Sequence, residues 1–132
     1  MGKSDWDIDF RYGVEGEQMV KDLLTIETVE VKRDRRWKET GNLFIETSCF
    51  YVNERITKRS GILTTKASHW AFVLEDLTLI VAKADLMATL MQYGRQASCN
   101  LEPNISTGYV ITVAQLLQWQ VDKANEVQNA NI

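Results

Sequence analysis

Residues 42–52, NLFIETSCFYV, read as one β-strand with apolar side chains on both faces. Such a strand needs cover on both sides, so the chain must build at least two further layers around it. Strict alternation puts Leu43, Ile45, Cys49 and Tyr51 on one face. Phe44, Glu46, Ser48 and Phe50 fall on the other. Just ahead, residues 25–34, TIETVEVKRD, are rich in β-branched residues and also alternate. Val29 and Val31 share one side of that strand; Glu30, Lys32 and Asp34 share the other. The intervening RRWKETG is short, polar and ends in Gly41, which predicts an antiparallel hairpin.

The remaining pattern predicts helices and strands around this pair. Residues 13–24, GVEGEQMVKDLL, read as a helix with Val14, Val20, Leu23 and Leu24 on one stripe. Glu17 falls inside that arc, so a carboxylate would meet the core and needs a reason to be there. A basic connection spans 53–67 and contains SGILTTK. Strands are expected at 68–74 and 77–82, a helix at 84–93 stopped by Gly94, and a polar loop at 95–107 with Pro103. A short strand at 108–112 and a helix at 113–125 complete the order. Residues 1–12 and 126–132 read as flexible arms. The expectation is a single domain over 1–132, α+β or α/β, built on one mixed central sheet flanked by helices.

Composition narrows the function classes. The chain has 132 residues, 45% apolar and 25% charged, enough for a core without disulfide or metal staples. No stretch approaches the roughly 20 apolar residues of a membrane span. The start, MGKSDWDIDF, has aspartates and no apolar h-region, unlike a secretory signal. Trp6 stands where a myristoylation site prefers Ser or Thr. Two cysteines, Cys49 and Cys99, and one histidine, His69, supply neither a disulfide framework nor a multi-histidine metal site. A reducing, cytoplasmic setting and no membrane partner are the simplest expectation.

The net charge of −3 is unevenly spread. Residues 32–66 carry nine basic and four acidic side chains, net +5, inside a chain that is otherwise net −8. A basic segment in an acidic protein points to a polyanion, or to a solvated loop of mixed charge. At its start, Glu30, Lys32 and Asp34 would lie beside Glu46 and Ser48 on one covered face, with Glu17 approaching from the helix. Several carboxylates gathered there would be costly unless paired. A divalent cation resolves the conflict, because Mg²⁺ takes hard oxygen ligands and keeps water and phosphate in its shell. A lysine nearby stabilises developing charge or orients the attacking water.

This arrangement resembles the PD-(D/E)XK nuclease superfamily, over roughly residues 13–90. The resemblance matches Glu17 to the helix glutamate, Asp34 in VEVKRD to the first acid and Glu46 in NLFIETS to the second. KRDRRWKETGNLFIE followed by SGILTTKASHW is similar to small phage-type members, in which TGN precedes the strand bearing the acid. It implies a restriction-endonuclease-like core of order αβββαβ. It also implies a metal-dependent DNA nuclease with Asp34, Glu46 and Glu17 around Mg²⁺ or Mn²⁺ and Glu30 as a further ligand. Arg33, Arg35, Arg36, Lys38 and Lys66 would engage the DNA backbone. So small a domain leaves little room for sequence reading, so cleavage selective for DNA structure, in recombination, repair or phage DNA processing, is the expected mode. Many relatives act as homodimers. The chain departs from the family at position 48, where Ser48 replaces the motif lysine. Lys32, on the face of Asp34, or Lys66 could supply the amine instead. A second register takes Glu30-Val31-Lys32 as the acid-x-lysine triplet with Asp22 as first acid, but Asp22 lies off the helix stripe.

Other residues carry two readings each. Trp37 stacks on a base or closes a small core. Cys49 reads as a small buried hydrophobe, and His69 as a hydrogen-bonded strand residue. Two rivals to the nuclease remain: a nuclease-fold protein that binds nucleic acid without cutting it, and a non-enzymatic interaction module with merely solvated charge.

Overall fold

A computed structural model describes residues 5–25, 28–34, 37–101 and 103–130. Their order is α1 (Asp5–Leu24), β1 (Val29–Lys32), the one-turn α2 (Trp37–Thr40), β2 (Asn42–Tyr51) and β3 (Ile56–Arg59). A 3₁₀ turn (Gly61–Leu63), β4 (His69–Leu74), β5 (Leu77–Ala82) and α3 (Lys83–Tyr93) follow. The order closes with β6 (Arg95–Leu101), β7 (Asn104–Thr112) and α4 (Val113–Ala130). The fold is mixed α+β. Its strands divide between a mixed sheet ordered β1-β4-β5 and an antiparallel sheet ordered β3-β2-β7-β6.

The hairpin expected between β1 and β2 does not form. β1 runs parallel to β4, with Val29 opposite His69 and Lys32 opposite Phe72. β2 pairs with β3 and β7 in the other sheet. The reason lies in the connection. Trp37–Thr40 closes a helical turn, the Gly41 N–H donates to the Trp37 carbonyl at 2.6 Å, and Gly41 takes φ +68°. Trp37 packs on the core, so its core-closing reading holds, and the chain crosses from one sheet to the next. A parallel partner for β1 then requires the long crossover that β2, β3 and the 3₁₀ turn provide.

One contiguous core joins the two sheets. Leu43, Ile45 and Ile111 from one meet Trp70, Phe72, Leu74 and Val81 from the other, with Ile62, Leu86, Leu90 and Leu116 completing the cluster. The apolar runs of β4 and β5 and the α3 stripe supply Trp70, Phe72, Leu74, Val81, Leu86 and Leu90, as their periods predict.

Several boundaries move. Residues 95–101 pair with β7 instead of forming a polar loop. RQASCNL has little β-branched character, so only its partner makes it a strand. Residues 56–59, also read as a connection, pair with β2. β7 begins at Asn104, not at 108. Helix α1 begins at Asp5 and α4 continues to Ala130, so most of both expected arms is helical.

Candidate functional site

Glu46 sits on β2 where the strand departs from regular pairing. It lies opposite Gly108, but Ser48 lies opposite Thr107. β2 therefore advances two residues while β7 advances one, a β-bulge centred on Thr47. The bulge exchanges the faces beyond it. Cys49 lies opposite Ser106, so it shares the face of Glu46 and Gly108. Ser48 turns to the side of Leu43 and Ile45. This corrects the strict alternation expected for NLFIETSCFYV. It also means that the position two residues after Glu46 does not stand beside its carboxylate. Cys49 is buried, as expected, although on the face opposite Leu43.

The backbone at Glu46 is restrained from both sides. Gly61, at φ +56°, presses so close that a Cβ there would overlap the Glu46 carbonyl. A Cβ on Gly108 would overlap the Ile45 carbonyl and come within 2.8 Å of the Glu46 Cα. Glycine inside a strand often marks such a close approach. Ser106, on the same face, donates its hydroxyl to Glu46 Oε1. Ser60 donates its N–H to the Thr47 carbonyl at 3.0 Å and so lies against the bulge. Its Oγ is buried and lacks a hydrogen-bond partner among the described residues. A buried hydroxyl of this kind calls for a water or an ion.

Lys32 and Asp34 come together elsewhere, on the side of Leu43, Phe72 and Leu74. Both line a small pocket with Leu43, Phe44, Phe72 and Leu74. Phe44 is two residues before Glu46 on the same face, about 7 Å along the strand. Lys32 Nζ lies 3.0 Å from Glu30 Oε1 and 5.3 Å from the Trp70 ring centroid. Both partners of the ion pair are more than a third exposed, so it adds little to stability.

Glu17 stands apart from this arrangement. It is exposed on α1, as are Val14, Val20 and Leu24 at 48%, 55% and 76%. The stripe that was to carry Glu17 into the core is thus open to solvent. Periodicity aligns side chains, but it does not supply a surface to pack against. Among the described residues no group of three His, Cys, Asp or Glu side chains could hold a metal ion. The expected convergence of Glu17, Asp34 and Glu46 is not what forms.

The expected DNA-binding residues disperse. Arg33 and Lys66 are exposed, and Lys38 pairs with Glu75 at 3.1 Å. Arg35 and Arg36 lie outside the described residues. The exposed edge strand β3 instead presents Lys58 and Arg59, with Arg55 at the turn before it. Lys58 lies opposite Cys49, on the Glu46 side of the sheet, 3.7 Å from Glu54 and 5.3 Å from the Tyr51 ring centroid. His69 Nδ1 is 2.8 Å from Ser68 Oγ, the hydrogen-bonded role expected of it.

Sequence reasoning missed Ser60, Ser106, Gly108 and the place of Lys58. The glycines of SGI at 60–62 and STG at 106–108 were the available signal, since glycine in or beside a strand marks a close approach. Compared with protein-family models, curated proteins and solved structures, the chain matches none. No helix among the described residues is long and apolar enough to cross a membrane.

The described residues do not form a ready-made cation site. Mg²⁺ is commonly bound by one or two carboxylates while keeping several waters. Asp34 and Glu46 are both half-buried carboxylates, but Asp34 lines the pocket with Leu43, Phe72 and Leu74, while the register turns Glu46 to the opposite side of β2. The three-carboxylate set with Glu17 does not fit.

Proposed function

We propose that the protein is a metal-dependent nuclease that hydrolyses DNA phosphodiester bonds, with Glu46 at the centre of its site. The observation that carries this reading is the restraint on Glu46. A bulge and two glycine approaches restrain the backbone at this residue, and a serine hydroxyl holds its carboxylate. Bulges and close glycine contacts recur beside active sites because they aim a side chain at the cost of regular pairing. Asp34 and Lys32 line a separate pocket that Phe44 also borders.

In this reading Glu46 would take Mg²⁺ or Mn²⁺ jointly with water and the substrate phosphate. A bound divalent cation polarises the phosphoryl oxygen and lowers the pKa of water. Lys32 offsets the charge that develops on the phosphate. Exposed Arg33, Arg55, Lys58, Arg59 and Lys66 contact the sugar-phosphate backbone and set register without reading sequence. The test is cleavage of plasmid and branched DNA with Mg²⁺, Mn²⁺ or EDTA, comparing wild type with Asp34→Asn and Glu46→Gln. The reading expects metal-dependent cutting that Glu46→Gln abolishes. Equal cutting by all three proteins overturns it.

Two observations favour a second reading, a protein that binds DNA and does not cut it. Ser48 faces away from Glu46, and Lys32 is engaged by Glu30. Salt-sensitive DNA binding without cleavage under any metal would select it.

A further inference from the structure

Four strands end the two sheets among the described residues: β1 and β5 in one, β3 and β6 in the other. An edge strand presents unpaired N–H and C=O groups, and proteins blunt such edges with charge, proline, bulges or brevity. Three of the four are blunted. β1 has four residues and carries Glu30 and Lys32, β3 has four and carries Lys58 and Arg59, and β6 carries Arg95 among polar residues. β5 reads LTLIVA, without a charge or a proline. Leu77 is 55% exposed and Ile80 40%. We propose that β5 is a docking edge for β5 of a second copy of this chain, the two running antiparallel about Ile80 and joining two mixed sheets into one of six strands. This pairing does not depend on the chemistry at Glu46.

The hydrogen bonds of β5 leave the required groups free. Ile80 lies opposite Ala71 on β4, and Ala82 opposite His69. One step further, the Lys83 N–H donates to the Ser68 carbonyl at 2.9 Å. Backbone groups in an antiparallel ladder point alternately toward the partner and away from it. Leu79 and Val81 therefore bond toward β4, as Lys83 does. Thr78, Ile80 and Ala82 turn their N–H and C=O outward, where no described strand meets them. Pairing about Ile80 sets that residue against its own copy and Thr78 against the second copy's Ala82, so each outward group finds a bond. Ile80 also shares a row with Ala71 and Val31, and Val31 is 62% exposed. The dimer continues that apolar row from one sheet into the next.

Charge selects a second copy as the occupant and fixes its direction. Asp76 precedes β5 and Lys83 follows it. Neither is in an ion pair among the described residues: Lys83 donates to the Thr65 carbonyl, and the neighbouring Glu75 is engaged by Lys38. Antiparallel pairing about Ile80 brings Asp76 of each copy beside Lys83 of the other, once at each end. Parallel pairing would bring Asp76 beside Asp76. An uncharged strand with opposite charges at its two ends is self-complementary, as a two-fold interface requires.

Sedimentation equilibrium of the full chain tests the pairing, with circular dichroism to check the fold of each protein. A strand-edge contact is small, so wild type is expected to pass from monomer to dimer between about 10 and 500 µM. A monomer at every concentration overturns the proposal and leaves the edge to another protein or to solvent. Growth beyond the dimer also overturns it, because two-fold pairing closes. Ile80→Lys sets like charges directly opposite and is expected to weaken the dimer about 10-fold or more. A folded Ile80→Lys protein that dimerises like wild type overturns the proposal. Asp76→Lys is expected to weaken the dimer, and adding Lys83→Asp to it is expected to restore the affinity to within about threefold. If the double substitution restores nothing, the antiparallel pairing is overturned.

Discussion

Glu17 and Glu46 carry the same carboxyl group, and both lie beside apolar residues at the spacing of their element. Their surroundings differ in every respect. Glu17 projects from a helix whose stripe is open to solvent, and neither Gly13 nor Gly16 beside it has a neighbour within 4 Å of an added Cβ. Glu46 is half-buried on a central strand, between two glycines that admit no side chain and under a serine hydroxyl. A pattern in the sequence proposes both as ligands. Only the neighbours brought from 60 residues away separate them.

The glycines give the largest contrast. Gly108→Val places a branched side chain against the Ile45 and Glu46 backbone, which cannot give way like a flexible side chain. We expect a loss of about 3 kcal/mol or more in urea unfolding, at the high end for overpacking. Gly16→Ala in α1 meets nothing. It is expected to raise helix content by circular dichroism and to favour the helix by about 1 kcal/mol. Equal effects at the two sites would erase the distinction.

Core and exposed apolar residues divide the same way. Leu86→Ala, at a position with no exposure, is expected to cost about 2–5 kcal/mol. Met19→Ala on α1, where Met19 is 66% exposed, is expected to change stability by under about 0.5 kcal/mol. A large loss at Met19 in the same denaturation experiment would mean that α1 packs on something in solution.

Activity sharpens the comparison of the two glutamates. Glu46→Gln is expected to reduce metal-dependent cleavage at least about 100-fold, at the upper end of what loss of a metal-site contact costs. Glu17→Gln is expected to change it by less than about threefold, as for a surface group outside the site. A comparable loss at Glu17 would bring the helix back into the site.

The smallest effect concerns Tyr93, where α3 meets α4. Burial raises its phenol above the ordinary value of 10.0, and the charge of Asp122 and its hydrogen bond at 3.4 Å add to the shift. The folded protein then keeps this proton at a pH where the unfolded chain has lost it. Stability from this group is therefore whole below pH 10.0 and falls as pH rises through the folded value. Phenolate absorbance should show Tyr93 titrating late, and Asp122→Asn should move it earlier.

Much of the architecture is legible in the chain itself. The apolar alternation of β4 and β5, the β2 run and the stripe of α3 each carry a strong period, and each formed nearly where expected. β6 was not readable, because its residues prefer no state and its pairing with β7 decides it. The hairpin expected between β1 and β2 failed for a different reason. Short polar connections are compatible with many geometries, and Trp37 found a better position on the core than a tight turn allows.

Sequence alone determined which residues are apolar, where the basic segment lies and which carboxylates stand on strands, since side-chain chemistry and local periods are properties of the chain itself. Tertiary structure decided which of those carboxylates is restrained. One unpaired residue at Thr47 reverses the faces of a strand, and no local pattern announces it. The partners that fix Glu46, namely Gly61, Ser106 and Gly108, become its neighbours only when the sheet closes.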